Sequence, residues 1–318
     1  MKRSALWRFL ALFLALGLVA AACSDDDDDD SGETGETTEE TGGEMEDTAD
    51  TEEEMEDTAD TDAADTGDTE DVELVQDGSL LAAVQEADVV KCGTRDDLPG
   101  FATVDDAGEH VGFDADFCRV IAAGVLGDAT KVEFVDLETA DRFTALQSGQ
   151  IVVLVRNTTW TATREGVEGA TFLSPNFYDG QGMMFAADSG FESLEDLNPA
   201  VICVAGGTTS EGNAAAEGLR LGLDWTVQSF DDVALLQEQF VAGGCDGWSS
   251  DISQLTGLRS DFPDGPEALT ILDTVFSKEP LAPAVPDGDS EWAQAVNWTI
   301  LATMQAEEFG IDSSNIGD

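Results

Sequence analysis

Short apolar runs alternate with amphipathic segments from about residue 87 onward. The runs are four to six residues long and are bounded by glycine, proline or polar residues, which is typical of buried strands and too short for a membrane span. The segments between them carry apolar residues at helical spacing. Strands that alternate with helices predict a parallel, doubly wound α/β sheet. The predicted strands are Ala87–Cys92, Lys131–Val135, Ile151–Val155, Gly182–Ala187 and Val201–Val204, and the predicted helices are Asp114–Val125, Ala140–Ser148, Asn213–Leu221 and Val233–Val241.

The strand predicted at Ile151–Val155 is followed at once by a polar stretch, Arg156–Arg164, which reads RNTTWTATR. Short hydroxyl and amide side chains beside free backbone N–H groups form a good cradle for an anion. Arg164 can hold a carboxylate through two parallel hydrogen bonds. The stretch contains no serine, cysteine or histidine, so it is better suited to holding a small anion than to cleaving a bond. The alternative is an ordinary polar turn in which Arg164 is paired at the surface.

Two further segments end in polar residues. Val201–Val204 leads into the glycine-rich turn Gly206–Glu211, which opens a helix and therefore offers unpaired backbone N–H groups to an anion. This turn has no lysine and lacks the glycine spacing of dinucleotide-binding loops, so neither kind of nucleotide site is indicated. Ser249–Asp251 also precedes a helix. Because ligands bind at the carboxyl ends of strands and between lobes, the sequence predicts a small-molecule site.

The first residues have the organisation of a secretory signal. Three basic residues precede the apolar run Phe9–Leu16, and small residues lead to Ala20–Cys23. The run is short for a membrane anchor, and a cysteine directly after small residues resembles the lipidation site of bacterial lipoproteins. We therefore expect a lipidated Cys23 and an extracytoplasmic, membrane-anchored protein. A plain cleaved signal is the alternative.

Residues 24–73 form a second kind of segment. They begin with six aspartates, repeat EMEDTADT twice, and contain 26 acidic residues but no lysine or arginine. Such a segment buries too little apolar surface to fold, so we expect a disordered acidic tether. Residues 74–318 hold 42 acidic and ten basic residues, and a charge of this sign excludes nucleic acid as a partner.

Four cysteines follow Cys23, and an even number in an exported chain suggests two disulfides, with three possible connectivities. Pairing in sequence order keeps each bridge within one lobe, so we expect Cys92–Cys118 and Cys203–Cys245. Buried free thiols are the alternative. A zinc site is not indicated, because no CxxC motif occurs and His110 is the only histidine. We expect neither a metal nor a cofactor.

Several motifs together resemble those of the solute-binding proteins of amino-acid ABC importers (family 3 type), in particular the branch serving broad-range L-amino-acid uptake. The similarity extends from about Val89 to the C-terminus. The resemblance implies a periplasmic-binding-protein fold, with two α/β lobes that are joined by two crossing strands and close on one amino acid. Each lobe would hold a doubly wound, mainly parallel sheet. The motifs are Leu98–Phe101, Val111–Arg119, Arg142–Gly149, Arg156–Arg164, Tyr178–Gly182 and Ser277–Leu281.

The resemblance also implies roles for individual residues. Arg164 would hold the α-carboxylate of the ligand, and Asp251 would accept its α-ammonium group. A zwitterion needs one cationic and one anionic anchor, and contacts from both lobes would make closure depend on the ligand. The other implied ligand-binding residues are Asn157 and Thr159, which help Arg164, Thr208 and Thr209, which donate to the carboxylate from the second lobe, and Phe101, which lies near the ligand.

Structural roles remain as alternatives for some of these residues. Asp251 could serve as an ordinary helix N-cap, and Phe101 could belong to the core. Trp160 is expected to pack rather than to bind. Asp114 and Asp116 are expected to cap and solvate the helix that follows them.

The sequence departs from the family pattern at two places. The family usually has an aspartate where Val152 stands, and this replacement affects local capping rather than an implied ligand contact. The branch also continues for some tens of residues beyond the position of Asp318. Either the sequence is truncated, or the first lobe lacks its final packing elements.

The resemblance predicts a monomeric receptor that captures L-amino acids and delivers them to the transmembrane subunits of an ABC permease. One alternative is an enzyme on the same scaffold, such as a dehydratase of prephenate-like substrates, but this sequence is poor in histidine for general acid–base work. The other alternative is a ligand sensor. The predicted organisation is a lipoprotein signal at 1–23, a tether at 24–73, lobe 1 at 74–182, lobe 2 at 183–273 and a return to lobe 1 at 274–318.

Overall fold

A computed structural model of the protein describes residues 79–316. The predictions for the signal peptide, for Cys23 and for the acidic tether concern residues outside this range. In the described part of the chain, no helix combines the length and the apolar composition that crossing a membrane requires.

Strands and helices alternate along the described residues, as the sequence pattern predicts, and two short 3₁₀ turns lie at Leu194–Asp196 and Pro266–Ala268. The strands are β1 Val90–Thr94, β2 Asp97–Leu98, β3 Ala102–Val104, β4 His110–Val111, β5 Val132–Asp136, β6 Val153–Leu154, β7 Ala170–Phe172, β8 Phe177–Asp179, β9 Gln181–Ala186, β10 Ala200–Ala205, β11 Trp225–Phe230, β12 Gly247–Asp251, β13 Leu269–Ile271, β14 Glu279–Leu281 and β15 Ala284–Pro286. The α-helices are α1 Leu80–Ala87, α2 Phe113–Leu126, α3 Arg142–Gln147, α4 Ala162–Val167, α5 Thr209–Leu221, α6 Val233–Val241, α7 Ile252–Ser260 and α8 Ser290–Glu308.

Two five-stranded sheets carry the fold, and we call them with their helices the first and the second lobe. The first sheet has the order β5-β1-β6-β15-β7, with β15 antiparallel to both of its neighbours. The second has the order β11-β10-β12-β9-β13, with β9 as the antiparallel strand. Each sheet is therefore mainly parallel, as predicted.

Two antiparallel strands connect the lobes. The chain leaves the first sheet after β7, passes through β8 and enters the second sheet at β9. It returns from β13 through β14, which pairs with β8, and re-enters the first sheet at β15. This path is the two-lobe periplasmic-binding-protein fold with two crossing strands, and the predicted fold class is confirmed.

The structure differs from the predicted pattern at the start of the first lobe. Ala87 ends a helix instead of starting a strand, because Ser79 caps α1 by accepting from the Ala82 backbone N–H and because Leu81 and Val84 turn one face inward. The chain leaves this helix at Asp88 in a left-handed conformation, with φ 55°. The apolar residue that follows, Val90, then begins β1.

The long helix α8 packs on the first sheet. Its residues Trp292, Val296 and Ile300 lie four positions apart and are fully buried in one cluster with β1 and α2. The Trp292 indole N–H also donates to the Val152 carbonyl at 2.8 Å. This helix gives the first lobe a packed face.

Both expected disulfides are present. Cys92 on β1 is bonded to Cys118 on α2, and Cys203 on β10 is bonded to Cys245 just before β12. Each bridge ties a sheet to an element of the same lobe, which is the arrangement that pairing in sequence order predicts.

Candidate functional site

A small cavity between the two lobes gathers most of the predicted binding residues. It lies where β1 and β6 of the first lobe and β10 and β12 of the second lobe end, which is the position expected for a ligand in α/β sheets. The space open to the centre of a water molecule is about 20 Å³, roughly enough for one water molecule. Its lining consists of Arg95, Thr139, Arg142, Arg156, Asn157, Thr159, Arg164, Ala205, Thr208, Thr209, Ser210, Ser250, Asp251 and Gln254.

The polar stretch after β6 is fixed to the crossing strand β14. The Trp160 backbone N–H donates to the Pro280 carbonyl at 2.8 Å, and the Ala282 N–H donates to the Thr158 carbonyl at 3.0 Å. These bonds place Thr159 against Leu281 as an isolated bridge, with its side chain in the cavity wall. The stretch is thus held as part of the connection between the lobes.

Asn157 has a left-handed backbone with φ 30°, which is uncommon for a residue other than glycine. Its backbone N–H donates to the Asp114 carboxylate at 2.8 Å, and its side-chain oxygen accepts from Arg95 at 3.2 Å. Such strained positions persist where the surroundings fix them, and they are enriched at functional sites. The side chain of Asn157 is therefore held in a defined place at the edge of the cavity.

Asp114 was predicted to solvate its helix, but the structure buries it. It is only 3% exposed, because the start of α2 packs beneath the polar stretch. Burial raises the pKa of Asp114 to about 6, against the opposing effects of the Asn157 N–H and of the guanidinium groups of Arg95 and Arg156. Asp116 is exposed and pairs with Arg119 at the surface, as expected of a solvating residue, but it does not cap α2, whose N-cap residue is Gly112 and has no side-chain cap.

Arg164 faces the cavity from the first turn of α4. The side chain of Thr161 caps this helix by accepting from the Arg164 backbone N–H at 3.1 Å. The guanidinium donates to the Thr159 carbonyl at 2.7 Å and approaches the Gly207 carbonyl of the second lobe at 3.5 Å. Burial lowers the pKa of Arg164 below its usual value. The alternative of a surface-paired arginine is excluded, since the residue is 8% exposed and forms no ion pair with any described residue.

Three further arginines, Arg95, Arg142 and Arg156, line the same cavity and are at most 3% exposed. None of the three has a role predicted from the sequence. Arg95 follows β1, Arg142 begins α3, and Arg156 follows β6, so three strand or helix ends of the first lobe bring them together. The aromatic ring of Phe143 lies 5.1 Å from the Arg142 guanidinium carbon and 5.8 Å from that of Arg164.

Asp251 faces the cavity from the second lobe, at the junction of β12 and α7. It occupies the N-cap position, but its side chain makes no capping hydrogen bond. Nor does its carboxylate accept a hydrogen bond from any other side chain or backbone group in residues 79–316. Burial raises the pKa of Asp251 well above its usual value, and the nearby carboxylates of Asp179 and Glu279 add to this effect. A cation placed against this side chain would stabilise its carboxylate form.

Thr208 and Thr209 also line the cavity, at the start of α5, but their hydroxyl groups are engaged within the protein. Thr208 donates to the Ala205 carbonyl at 2.6 Å, and Thr209 donates to Glu279 at 2.9 Å. Glu279 lies on the crossing strand β14 and also accepts from Asn213 on α5 at 2.8 Å. This carboxylate, which sequence reasoning missed, links the crossing strand to the second lobe.

Direct contacts hold the two lobes together around the cavity. Arg142 donates to the Gly207 carbonyl at 3.1 Å, and the Asn157 amide donates to Gln254 at 3.2 Å. Both bonds join a residue of the first lobe to one of the second. Together with the small free volume, they identify this conformation as closed.

Phe101 lies apart from these residues. It is buried in the core cluster and makes edge-to-face contacts with Phe113 at 5.9 Å and Phe177 at 5.4 Å. It does not line the cavity, because the turn after β2 directs it toward this aromatic group. Trp160 stacks on Phe172 and donates to Glu165 at 2.7 Å, as expected for a packing residue.

No group of three or more histidine, cysteine, aspartate or glutamate side chains within residues 79–316 is arranged to hold a metal ion. A larger groove of about 730 Å³ on the second lobe has no basic side chain in its lining. The interlobe cavity is distinguished by charged groups of both signs that converge from two lobes.

Comparison with known proteins gives consistent matches. Residues 90–310 match the family of bacterial extracellular solute-binding proteins, family 3. The putative amino-acid ABC transporter-binding protein YhdW of Escherichia coli (strain K12) is 41% identical over 241 residues, covering 76% of this chain and 70% of that protein. The general L-amino acid-binding periplasmic protein AapJ of Rhizobium johnstonii is 41% identical over 238 residues, covering 75% of this chain and 70% of that protein.

A solved structure agrees with these matches. The ABC transporter periplasmic binding protein from Brucella ovis, with glutathione bound, has 39% sequence identity to this chain and a TM-score of 0.73. The match covers 76% of this chain and 75% of that one. The chain belongs to the bacterial extracellular solute-binding proteins of family 3.

Proposed function

We propose that this protein is an extracytoplasmic receptor that binds L-amino acids between its lobes and delivers them to an ABC permease. The observation that carries the proposal is that Arg164 of the first lobe and Asp251 of the second lobe line the same cavity. An amino acid is a zwitterion, and these two side chains supply one anchor for each of its charges. The names of the E. coli and R. johnstonii relatives support the same ligand class.

Arg164 holds the α-carboxylate of the ligand. Its guanidinium is already positioned by the Thr159 carbonyl, so little side-chain freedom is lost on binding. Thr159 and Asn157 complete the carboxylate site from the first lobe. Thr208 and Thr209 contribute from the start of α5, where first-turn backbone N–H groups favour an anion.

Asp251 holds the α-ammonium group. A buried carboxylate without a partner is costly, and an ammonium group within hydrogen-bond distance offsets that cost. Because Arg164 and Asp251 lie on different lobes, a ligand that contacts both stabilises the closed form selectively. Phe101 has no part in this assignment, since it does not reach the cavity.

The proposal includes the location and the state of the chain. Lipidation at Cys23 anchors the protein outside the cytoplasm, the acidic segment 24–73 acts as a spacer, and the receptor works as a monomer. Lobe 1 comprises residues 74–182 and 274–318, and lobe 2 comprises residues 183–273. These boundaries place the crossing strands at or next to the two junctions between lobes.

The same cavity argues against catalysis, and we propose that the protein is not an enzyme. The single histidine, His110, pairs with Asp136 at 2.8 Å and does not line the cavity. General acid–base catalysis needs a titratable group beside the reacting atoms. Asp251 is the acidic side chain in the lining, and it serves here as the ammonium anchor.

A ligand screen with one substitution tests the proposal. The purified full chain is heated with each of the twenty amino acids and with glutathione, and a bound ligand at 100 times its dissociation constant adds about 2.7 kcal/mol of stability. Isothermal titration calorimetry then compares wild type with Arg164→Ala, which is expected to weaken binding by about 100-fold or more, because it removes a charge-assisted contact and leaves the ligand carboxylate buried.

The matched control is Arg220→Ala, since Arg220 pairs with Glu217 on α5 and does not line the cavity. It should bind like wild type. If Arg164→Ala binds amino acids as tightly as the control does, or if no amino acid raises the melting temperature, the proposal is wrong.

A further inference from the structure

The interlobe cavity carries more positive charge than a simple zwitterion needs. The whole chain has only 13 lysine and arginine residues against 68 acidic ones. Four of these 13 line this one cavity, together with a single aspartate. A protein with so few basic residues gains nothing in solubility by burying four of them at one place. The clustering of four arginines in this cavity indicates that the ligand carries negative charge.

Two of the four arginines have no carboxylate in direct contact. Arg95 pairs with Asp97 at 2.5 Å, and Arg164 is assigned to the α-carboxylate. Among residues 79–316, no carboxylate lies within 4.0 Å of the guanidinium nitrogens of Arg142 or Arg156. Arg156 donates only to the Leu137 carbonyl at 2.8 Å and to the Thr139 hydroxyl at 3.1 Å. Arg142 donates only to the Gly207 carbonyl.

Donor groups in this wall also lack partners. The Nε of Arg142 and one terminal nitrogen of Arg95 are buried and make no hydrogen bond to any residue that the structure describes. Buried donors without acceptors are rare in folded proteins, and each costs about 1–3 kcal/mol. Both side chains line the cavity, so an acceptor placed there can reach them.

One protein oxygen accepts hydrogen bonds from these arginines in the closed form. The Gly207 carbonyl accepts from Arg142 at 3.1 Å and lies 3.5 Å from a nitrogen of Arg164. A neutral carbonyl that faces two guanidinium groups is a weaker acceptor than a carboxylate, whose hydrogen bonds to arginine are roughly twice as strong. The two guanidinium groups are therefore arranged about a point that an anionic oxygen suits better.

The nearby carboxylates do not contact these arginines, although Asp97, Glu138 and Asp114 partly offset the charge of Arg156. Asp114 accepts from the Asn157 N–H, and Glu279 accepts from Thr209 and Asn213. A neutral amino acid brings one negative and one positive charge, which Arg164 and Asp251 balance. Its binding leaves Arg142 without a carboxylate of its own, because Asp251, which offsets the charge of Arg142, then holds the ammonium group.

We infer that the ligand of this site is an acidic amino acid, whose side-chain carboxylate is held by Arg142 with support from Arg156. The inference rests on the proposed function, because it takes the α-carboxylate and the α-ammonium group as bound by Arg164 and Asp251. The two backbone anchors fix the ligand, and the second carboxylate enters the part of the cavity where the unpaired donors lie.

The electrostatics of the wall support this assignment. Burial lowers the pKa of Arg142 well below its usual value, and the neighbouring charges of Arg164, Arg156 and Arg95 lower it further. Burial likewise lowers the pKa of Arg156 to about 9, and Arg95 adds to that effect, whereas Asp97, Glu138 and Asp114 oppose it. An anion between Arg142 and Arg156 relieves the repulsion between their guanidinium groups.

Matched pairs of ligands test the inference on the wild-type full chain. Isothermal titration calorimetry at pH 7.5 compares L-glutamate with L-glutamine and L-aspartate with L-asparagine, which differ in charge but hardly in size. We expect at least one acid to bind about 10- to 100-fold more tightly than its amide, the range that one charge-assisted hydrogen bond allows. An amide that binds as tightly as its acid in both pairs overturns the inference and leaves the proposed function standing. If no amino acid binds, both are wrong.

The variant Arg142→Gln separates a charge-reading role from a structural one. If Arg142 binds the side-chain carboxylate, the variant loses affinity for the acid by about tenfold or more and keeps its affinity for the amide within about threefold. If Arg142 only closes the lobes through Gly207, acid and amide weaken equally, and that result overturns its assignment. Arg220→Gln is the control for removing one positive charge and should retain the wild-type ratio. Should Arg142→Gln fail to fold, the wild-type ratios decide the inference by themselves.

Discussion

Gly257 on α7 offers a direct test of lobe closure, because it touches the first lobe without lining the cavity. A Cβ atom added there would lie 2.5 Å from the Pro99 carbonyl oxygen and 3.3 Å from the Leu98 side chain. Pro99 belongs to the segment that follows β1 of the first sheet, whereas α7 packs on the second sheet. The glycine therefore allows two backbones of different lobes to approach closely.

Gly257→Ala should oppose closure and leave each lobe intact. A separation of 2.5 Å to a backbone oxygen cannot be relieved by turning a side chain, so the segments must move apart. Such overpacking raises the free energy of the closed form by about 1–3 kcal/mol. Alanine in place of glycine inside a helix also gains about 0.5–1 kcal/mol, in open and closed forms alike. We expect ligand affinity to fall by about 5- to 100-fold, while the melting temperature of the protein without ligand stays the same or rises.

Gly212→Ala is the matched control, because Gly212 lies within α5 and a Cβ atom there meets no neighbouring atom within 4 Å. It should gain the same helix stability and keep wild-type affinity. Isothermal titration calorimetry measures the affinities, and small-angle X-ray scattering measures the decrease in radius of gyration on adding ligand. Equal affinities for Gly257→Ala and Gly212→Ala, with equal compaction, would refute the reasoning.

Two buried carboxylates give the remaining predictions. Asp251→Asn should reduce the affinity for amino acids by about 30-fold or more, because a buried charge pair loses one partner. It should also stabilise the ligand-free protein, because the wild-type carboxylate is buried without a partner. The free energy of unfolding measured in urea must therefore rise while the affinity measured by calorimetry falls. Burial raises the pKa of Asp114 from 3.8 to about 6, so the folded state holds its proton more tightly and the stability that this group contributes falls as the pH rises from about 4 to 6. Asp114→Asn should accordingly match wild type near pH 4 and be up to about 3 kcal/mol more stable above pH 6 in denaturant titrations, and a stability difference that does not change with pH would contradict this.

The fold could be predicted to a large extent, because local patterns determine much of it. Val233–Val241 was predicted with the bounds that the structure has, and the apolar runs of β10 and β9 were placed within about a residue at each end. The strand predicted at Ile151–Val155 shortens to the two residues of β6, since a strand is defined by its pairing: Val153 and Leu154 pair with β1, and Leu154 also pairs with β15. The irregular backbone around β6 is still buried, as the apolar run indicates.

The site could be predicted only in part. The polar stretch at Arg156–Arg164 is contiguous, so its hydroxyl groups and its terminal arginine indicate a binding site without knowledge of the fold. Arg95 and Arg142 are isolated in the sequence, and a single basic residue beside acidic ones looks like an ordinary surface residue. The available signal was the scarcity of basic residues: in a chain with 13 of them, each one near a predicted strand end is informative.

The same charges make closure of the lobes depend on the ligand. The Arg142 guanidinium reaches the second lobe, so closure buries it against the Gly207 carbonyl without supplying a carboxylate in contact with it. Burying a charge without a partner costs several kcal/mol. The direct contacts that oppose this cost are the hydrogen bonds from Arg142 and Arg164 to Gly207 and from Asn157 to Gln254, and the apolar packing of Leu98 against α7. Each unpaired charge in the wall therefore makes closure without a ligand less favourable. A ligand that brings the missing negative charges reverses this balance, so the feature that makes the site selective is also the feature that couples binding to movement of the lobes.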